Sequence, residues 1–419
     1  MSISTKSFSV NGTTYRPPAQ PIVVVCMDGS ADEYYDAALA KDKIPNLKKM
    51  IVHGHRSLVR DALPSFTNVN NTSIVTGVTP AVHGICGNFF YDEKKDAEVM
   101  MNAAEYLRSE TILAAAANAG RQVAVVTAKE KLRDILSDNM HGIAFSAEKA
   151  KWAKKETHGI ENVEEMVGEK TPEIYSADAS LFVFRAGVAL IEKGLADFLY
   201  LSLTDYIQHT YEPASEQAIS FYEQMDKEFG RLLQLGSIIG AVPDHGMNAK
   251  VDAFGNPNVL FIEDMLEEKF GNGFRVICPI TDPYVKHHGA LGSYVVVHVP
   301  DKSIINSIKD WLLMQKGITE VYDKASAVRM LEQPEDRIGD LVLLSARDVV
   351  LGRRPQYHDL SALDGTLRSH GGRYEEMVSM IISHPLNKEY KMKAYGDPRN
   401  FQVFDFTING TNQEYVHRH

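Results

Sequence analysis

The chain of 419 residues is 44% hydrophobic and 24% charged and carries a net charge of −11, a composition that suits a soluble globular protein with a core domain and a smaller second one. The acidic surplus argues against nucleic acid or an anionic membrane as partner. No apolar run approaches the roughly 20 residues that cross a bilayer, which argues against a membrane-spanning chain.

The opening stretch from Met1 to Gln20 is polar and lacks the charged start, apolar stretch and cleavage site of a secretory signal. A cytoplasmic location is therefore expected, and Cys26, Cys86 and Cys278 are expected to be reduced core thiols. A strand is predicted over Ile22–Met27, ending at Asp28, and a helix over Pro45–His53. The segment Pro64-Ser65-Phe66-Thr67-Asn68 leads into a second helical stretch that stops near Gly77. Glu110–Ala119 follows as a helix capped by Ser109, then a strand over Gln122–Thr127 that runs into Lys129 and Lys131. Further helices over Asp178–Lys193 and Glu216–Leu235 alternate with strands over Phe198–Thr204, ahead of Asp205 and His209, and Ile238–Pro243, ahead of Asp244 and His245.

This alternation predicts an α/β core with a mainly parallel sheet flanked by helices. From about Pro257 the texture changes: helix over Val259–Phe270, strands over Gly273–Ile277 and Gly292–Val299, helix over Lys302–Lys316, strand over Ile318–Asp323. This stretch reads as a small α/β cap. Asp340–Ser345, Ser369–Gly372 and Met377–Ile382 then read as a return to the core. Residues 1–255 and 336–419 are assigned to the core and 256–335 to the cap.

Asp28, Asp205, His209, Asp244, His245 and His370 form the strongest constellation. Singly, an Asp after a strand caps a helix and a lone His is structural. Here three Asp/His groups follow apolar strands, and a parallel sheet gathers such strand ends on one edge. Mixed Asp and His donors suit zinc-like divalent ions, and six of them serve two ions. Near them, a hydroxyl at a helix start is favoured as a nucleophile by the helix N-terminus and a neighbouring metal. Thr67 is the candidate, although Ser65, Thr72 and Ser73 remain open by composition.

Val-Cys-Met-Asp-Gly (Val25 to Gly29), Pro-Ser-Phe-Thr-Asn (Pro64 to Asn68), the stretch Thr76 to Asp92, the Asp205/His209 pair, Pro-Asp-His-Gly-Met (Pro243 to Met247) and Ser-His-Gly-Gly (Ser369 to Gly372) together resemble the alkaline phosphatase superfamily. Within it they resemble the nucleotide pyrophosphatase/phosphodiesterase branch, and there the enzymes that hydrolyse phosphonoacetate. The resemblance implies an alkaline phosphatase-like core with two zinc ions. Asp205, His209 and His370 would hold one, and Asp28, Asp244 and His245 the other, with Thr67 bridging toward it as nucleophile. It further implies that Asn88 donates to a phosphoryl oxygen, that Lys129 and Lys131 bind a substrate carboxylate, and that the reaction is hydrolysis of a carbon–phosphorus bond through a phosphothreonine. One departure is that Asn68-Val69 stands where many phosphodiesterases of the branch have Phe-Pro, which leaves the nucleophile intact and puts the substrate class in question.

Charge favours the same substrate. Two zinc ions are cancelled by three aspartates and an alkoxide, so a dianionic phosphonate with a further carboxylate needs the two lysines, and a monoanionic diester does not. Lys286-His287-His288 in the cap offers a further cation over the substrate, with His287 as its contact. The expected partner is a small phosphonate; the sequence leaves a homodimer open. Alternatives are a phosphodiesterase or phosphatase of the superfamily, a phosphosugar mutase, and a non-catalytic metal-binding protein.

Overall fold

Strands that are mainly apolar and buried at every position need cover on both faces, and four such runs sit side by side here. The computed structural model describes residues 3–363 and 365–412, so the outer ends of the expected core, residues 1–2 and 413–419, lie outside the described residues. The strands of the two larger sheets are β1 (Ile22–Cys26), β2 (His55–Arg60), β3 (Val123–Thr127), β4 (Ile143–Ser146), β5 (Phe198–Ser202), β6 (Ile238–Val242), β7 (Arg275–Ile277), β8 (Tyr294–His298), β9 (Ile318–Asp323), β10 (Leu341–Ser345) and β11 (Met377–Ile382).

The core sheet has seven strands in the order β2-β11-β6-β1-β5-β3-β4. It is parallel from β6 to β4, and β11 runs antiparallel to both its neighbours. Residues along β1 alternate between two layers, because successive side chains of a strand point to opposite faces. Val23 and Val25 join the cluster under helices Ala177–Glu192 and Glu216–Gln234. Ile22, Val24 and Cys26 join the opposite cluster, under helices Ile112–Asn118 and Val403–Ile408. All three cysteines are free and buried. The expected parallel α/β core is therefore present, with every strand end of β6, β1, β5 and β3 on one edge.

Several local readings shift. Thr111, not Ser109, caps the helix Ile112–Asn118, accepting from Ala114 N–H at 3.0 Å. Val259–Phe261 is a strand, paired with Val350–Gly352, and the helix begins only at Ile262. Leu341–Ser345 does not rejoin the core: β10 is a central strand of the second sheet, order β7-β8-β10-β9, antiparallel throughout. Its sequence Leu-Val-Leu-Leu-Ser is buried throughout and suits an interior strand of either sheet, so only pairing decides. One face of this sheet packs under helices Ile262–Phe270 and Ile305–Leu313. The other contributes Tyr294, Val296, Val342 and Leu344 to a cluster that includes Phe66 and Val69, so the second sheet buttresses the start of the helix Thr67–Thr76. Among the described residues, no helix is long and apolar enough to cross a membrane.

That helix is anchored at its far end by His83. The imidazole is fully buried, its Nε2 lies 2.8 Å from Ser73 Oγ, and its Nδ1 accepts from Ile85 N–H at 3.1 Å. A ring that accepts on Nδ1 is neutral, and burial, followed by the nearby Arg337, lowers its pKa to about 3. Below pH 6.5 the unfolded chain takes up a proton that the folded ring refuses, so stability present above that pH is lost as pH falls toward about 3. His83→Gln should make the acid decline shallower by up to about 1.4 kcal/mol per pH unit, measured as urea-unfolding free energy from pH 6.5 to pH 4. An unchanged slope would show that His83 titrates normally.

Candidate functional site

The loops leaving β6, β1 and β5 bring Asp244 and His245, Asp28, and Asp205 to adjacent places on the sheet edge, since those strands are neighbours. His209 follows Asp205 in the helix Tyr206–Thr210, one turn on. His370 arrives from far along the chain, after Arg368–Ser369 pairs with Asn248–Ala249. Two buried groups result: Asp205, His209 and His370 in one, and Asp28, Asp244 and His245 in the other, the ligand atoms in each lying within 4.8 Å of one another.

The hydrogen bonds show what these groups are built to hold. Each histidine places its Nδ1 against a main-chain carbonyl: His209 on Arg368 O at 2.8 Å, His245 on Gly246 O at 2.8 Å and His370 on Ser65 O at 2.6 Å. This fixes Nδ1 as the donor and turns the Nε2 lone pair inward, as in metal-ligating imidazoles. His209 Nε2 then lies 3.0 Å from Asp205 Oδ2 without hydrogen-bond geometry, and both oxygens of buried Asp28 have no hydrogen-bond partner among the described residues. Acceptors facing acceptors in a buried site call for a cation between them. The electrostatics agree. Burial, and then the Asp28 carboxylate, push Asp244 up to about 8. Against its burial, Asp244, Asp28 and Asp205 raise His245 to about 10, so that a proton on Nε2, 3.3 Å from Asp28 Oδ1, takes the place a bound cation would fill. The residues thus fit a pair of divalent ions.

Thr67 begins its helix beside these groups, with Oγ1 3.5 Å from His245 Nε2. Ser65 donates instead to Asp61 and Gly372 O, Ser73 meets His83, and Thr72 is buried within the helix. Of the four hydroxyls left open by composition, Thr67 is the one in contact with a ligand histidine. Asn88 accepts the Asn68 N–H at 3.1 Å and donates to Ile280 O at 3.1 Å, and an amide nitrogen carries a second hydrogen. Asn68 also donates to Met101 O at 2.7 Å. The residue that departs from the Phe-Pro pattern therefore ties the helix start to the Asn88 segment.

Lys129 and Lys131 are buried, although Lys-Glu-Lys is by composition a surface sequence. Lys129 precedes the helix Glu130–Leu136 and Lys131 lies in its first turn. Both ammonium groups still reach one aromatic face, 5.5 and 5.8 Å from the Tyr284 ring centre. Lys129 pairs with Asp205 Oδ1 at 3.0 Å and Lys131 pairs with Asp282. Although burial works against its charge, Asp205, Asp28 and Asp282 raise the pKa of Lys129. His287 stacks on His209 at 4.8 Å between ring centres. Burial, and then His209, hold His287 well below the ordinary histidine range, and burial lowers His288 to about 3. The cation of that segment is thus Lys286, which lines a cavity of about 190 Å³ beside His209 together with Tyr175, Tyr206 and His287.

Three contributors were not singled out from sequence. Asn71 donates to Asp244 Oδ2 at 3.1 Å and to Thr67 O at 3.0 Å, while its Oδ1 accepts from Tyr200 and Ser202. Its four-residue spacing from Thr67 was a usable signal. Asp282 and Tyr284 come from the second half of the chain and carry no local pattern that points to Lys131.

The model of the type I phosphodiesterase / nucleotide pyrophosphatase family matches residues 22–373, and the chain belongs to that family. The structure is similar to that of phosphonoacetate hydrolase from Sinorhizobium meliloti 1021 in complex with phosphonoacetate, with a TM-score of 0.93 and 43% identity over 97% of this chain and 99% of that one. Murine ectonucleotide pyrophosphatase/phosphodiesterase 5 shares the fold at a TM-score of 0.62 and 14% identity, covering 94% of this chain and 96% of that chain. Venom phosphodiesterase of Naja atra is 26% identical over 55% of this chain, and the match spans only 26% of that relative's length.

Asn71→Leu should weaken the metal held by Asp28, Asp244 and His245 by about 10–100-fold, the usual cost of losing a partner that orients a ligand. The other ion should keep its affinity. Competition against a chelator, following both equivalents, measures this, and equal weakening of both would show a general loss of packing.

Proposed function

We propose that the protein is a metal-dependent hydrolase that cleaves the carbon–phosphorus bond of phosphonoacetate to give acetate and phosphate. The observation that carries this reading is the pair of buried ammonium groups beside the two ligand clusters. A phosphate diester has no group for them, whereas a phosphonate with a second anionic end does. The similarity to a phosphonoacetate hydrolase along nearly the whole chain supports the same substrate.

Two sets of three mixed carboxylate and imidazole donors suit two zinc ions. Bound there, the ions supply Lewis-acid charge that lowers the pKa of a nearby hydroxyl and of water and offsets the charge of the phosphonate oxygens. Asp28, Asp244 and His245 hold one and Asp205, His209 and His370 the other, with Thr67 against the first.

The chain's own residues then carry the reaction. Thr67 Oγ1 gives up its proton to solvent water and attacks phosphorus, with its helix N-terminus stabilising the charge that develops. The remaining Asn88 amide hydrogen donates to a phosphoryl oxygen. As the phosphorus–carbon bond breaks, its electron pair passes to carbon and delocalises into the adjoining carboxylate, where Lys129 and Lys131 balance the charge. A proton from water completes acetate. Water then attacks the phosphothreonine, the phosphorus–oxygen bond breaks, and phosphate leaves as the Thr67 hydroxyl is restored. His287, neutral beside His209, contacts the substrate as a hydrogen-bonding group.

Phosphate release from phosphonoacetate, set beside cleavage of bis-p-nitrophenyl phosphate, tests the assignment. Thr67→Ala should lower turnover of both by about 10⁴-fold or more. Lys131→Met should cost about 10–100-fold in kcat/KM with phosphonoacetate, as for a lost hydrogen bond to a charged group, and little with the diester. A wild-type protein that cleaves the diester and releases no phosphate from phosphonoacetate is a phosphodiesterase.

A further inference from the structure

Lys250 and Glu375 form an ion pair with both side chains wholly buried, and neither touches the proposed chemistry. Burying two charges is costly unless their remaining donors and acceptors are satisfied. Here they are. Glu375 Oε1 accepts from Lys250 Nζ at 2.8 Å and Asn248 Nδ2 at 2.6 Å, and Oε2 accepts from Gly372 N–H at 3.1 Å. The Glu375 main-chain oxygen accepts from Gly246 N–H at 2.7 Å. Lys250 also donates to Arg347 O at 2.7 Å, in the loop after β10.

Gly246 follows His245, and Gly372 lies two residues past His370. One residue therefore grips the loop of a ligand from each cluster. Its main-chain oxygen serves the His245 side, and its carboxylate serves the His370 side, held in place by Lys250 and Asn248.

We infer that Glu375 and Lys250 are positioning residues that fix the His370 loop relative to the His245 loop and so set the spacing of the two metal ions. This rests on the two-metal reading above. Because a side-chain change leaves the Gly246 contact in place, it acts selectively on the cluster of Asp205, His209 and His370.

Zinc titration of metal-stripped protein by calorimetry, with thermal unfolding and steady-state kinetics, provides the test. Wild type should bind two equivalents. In Glu375→Gln the amide oxygen stays toward Lys250 and Asn248, so the amide nitrogen faces the Gly372 N–H, donor against donor. This variant should weaken one equivalent by about tenfold or more, leave the other unchanged, and lower kcat with little change in KM. The double variant Lys250→Met with Glu375→Leu replaces the pair by apolar groups. It should recover thermal stability and still bind the second equivalent weakly, which a merely structural pair would not do. Two wild-type affinities in either variant would overturn the inference while leaving the proposed function standing. A wild type that binds fewer than two equivalents would overturn both.

Discussion

Three aspartates and three imidazole lone pairs converge on one dry edge of the core sheet, and their mutual repulsion is the constraint on which the rest of the structure turns. In water such groups would separate. Here each is attached to an element that cannot yield. Asp28, Asp205 and Asp244 leave three neighbouring parallel strands. The three histidines are pinned at Nδ1 by main-chain carbonyls. The sheet spends part of its packing free energy to hold charge where a divalent ion relieves it.

The nucleophile helix shows how that demand propagates. All residues of Thr67–Thr76 are buried, including three asparagines, and each asparagine has a separate task. Asn68 ties the helix to the Met101 and Asn88 segment, Asn70 holds the Ala62 main chain at 2.8 Å through both N–H and C=O, and Asn71 steadies Asp244. A polar helix is tolerated inside the fold because the amide nitrogen of each asparagine donates to a partner, while Asn68 Oδ1 has none among the described residues. The second sheet closes over it through Tyr294, which meets Phe66 edge-on at 6.2 Å, while Phe66 in turn packs against His370 at 5.6 Å. The second sheet therefore supports Thr67 and His370 from behind, and Asp282 and Tyr284, which follow its first strand in the chain, face the two lysines.

Electrostatic layout sets a cationic end beside the Asp/His groups. Lys129 leans on Asp205, so the two share a carboxylate. Lys131 is paired with Asp282 from the segment between β7 and β8. At Lys129 the burial that opposes its charge is outweighed by Asp205, Asp28 and Asp282 and the pKa is raised, whereas at Lys131 burial outweighs Asp282 and lowers it.

The sequence by itself determined the core sheet and which strand ends carry the Asp and His side chains that the fold gathers into two groups. Five-residue runs such as Ile22–Cys26 and Ile238–Val242 are apolar throughout because both faces are covered, and a strand that ends in Asp must present it at the carboxyl edge. Motif resemblance brought in Asn88. Tertiary structure decided what no local pattern encodes. Leu341–Ser345 reads equally well in either sheet, and only hydrogen bonding to Tyr294–Val297 and Ile318–Asp323 places it in the second. Lys129 and Lys131 look like a surface turn until Tyr284 and Asp282, some 150 residues away, cover them. Lys250 and Glu375 are ordinary residues in sequence and become a junction only when the chain folds back 125 residues later. The physical reason is the same in each case: periodicity reports which faces of an element are buried, whereas the partner that buries them is chosen by long-range packing.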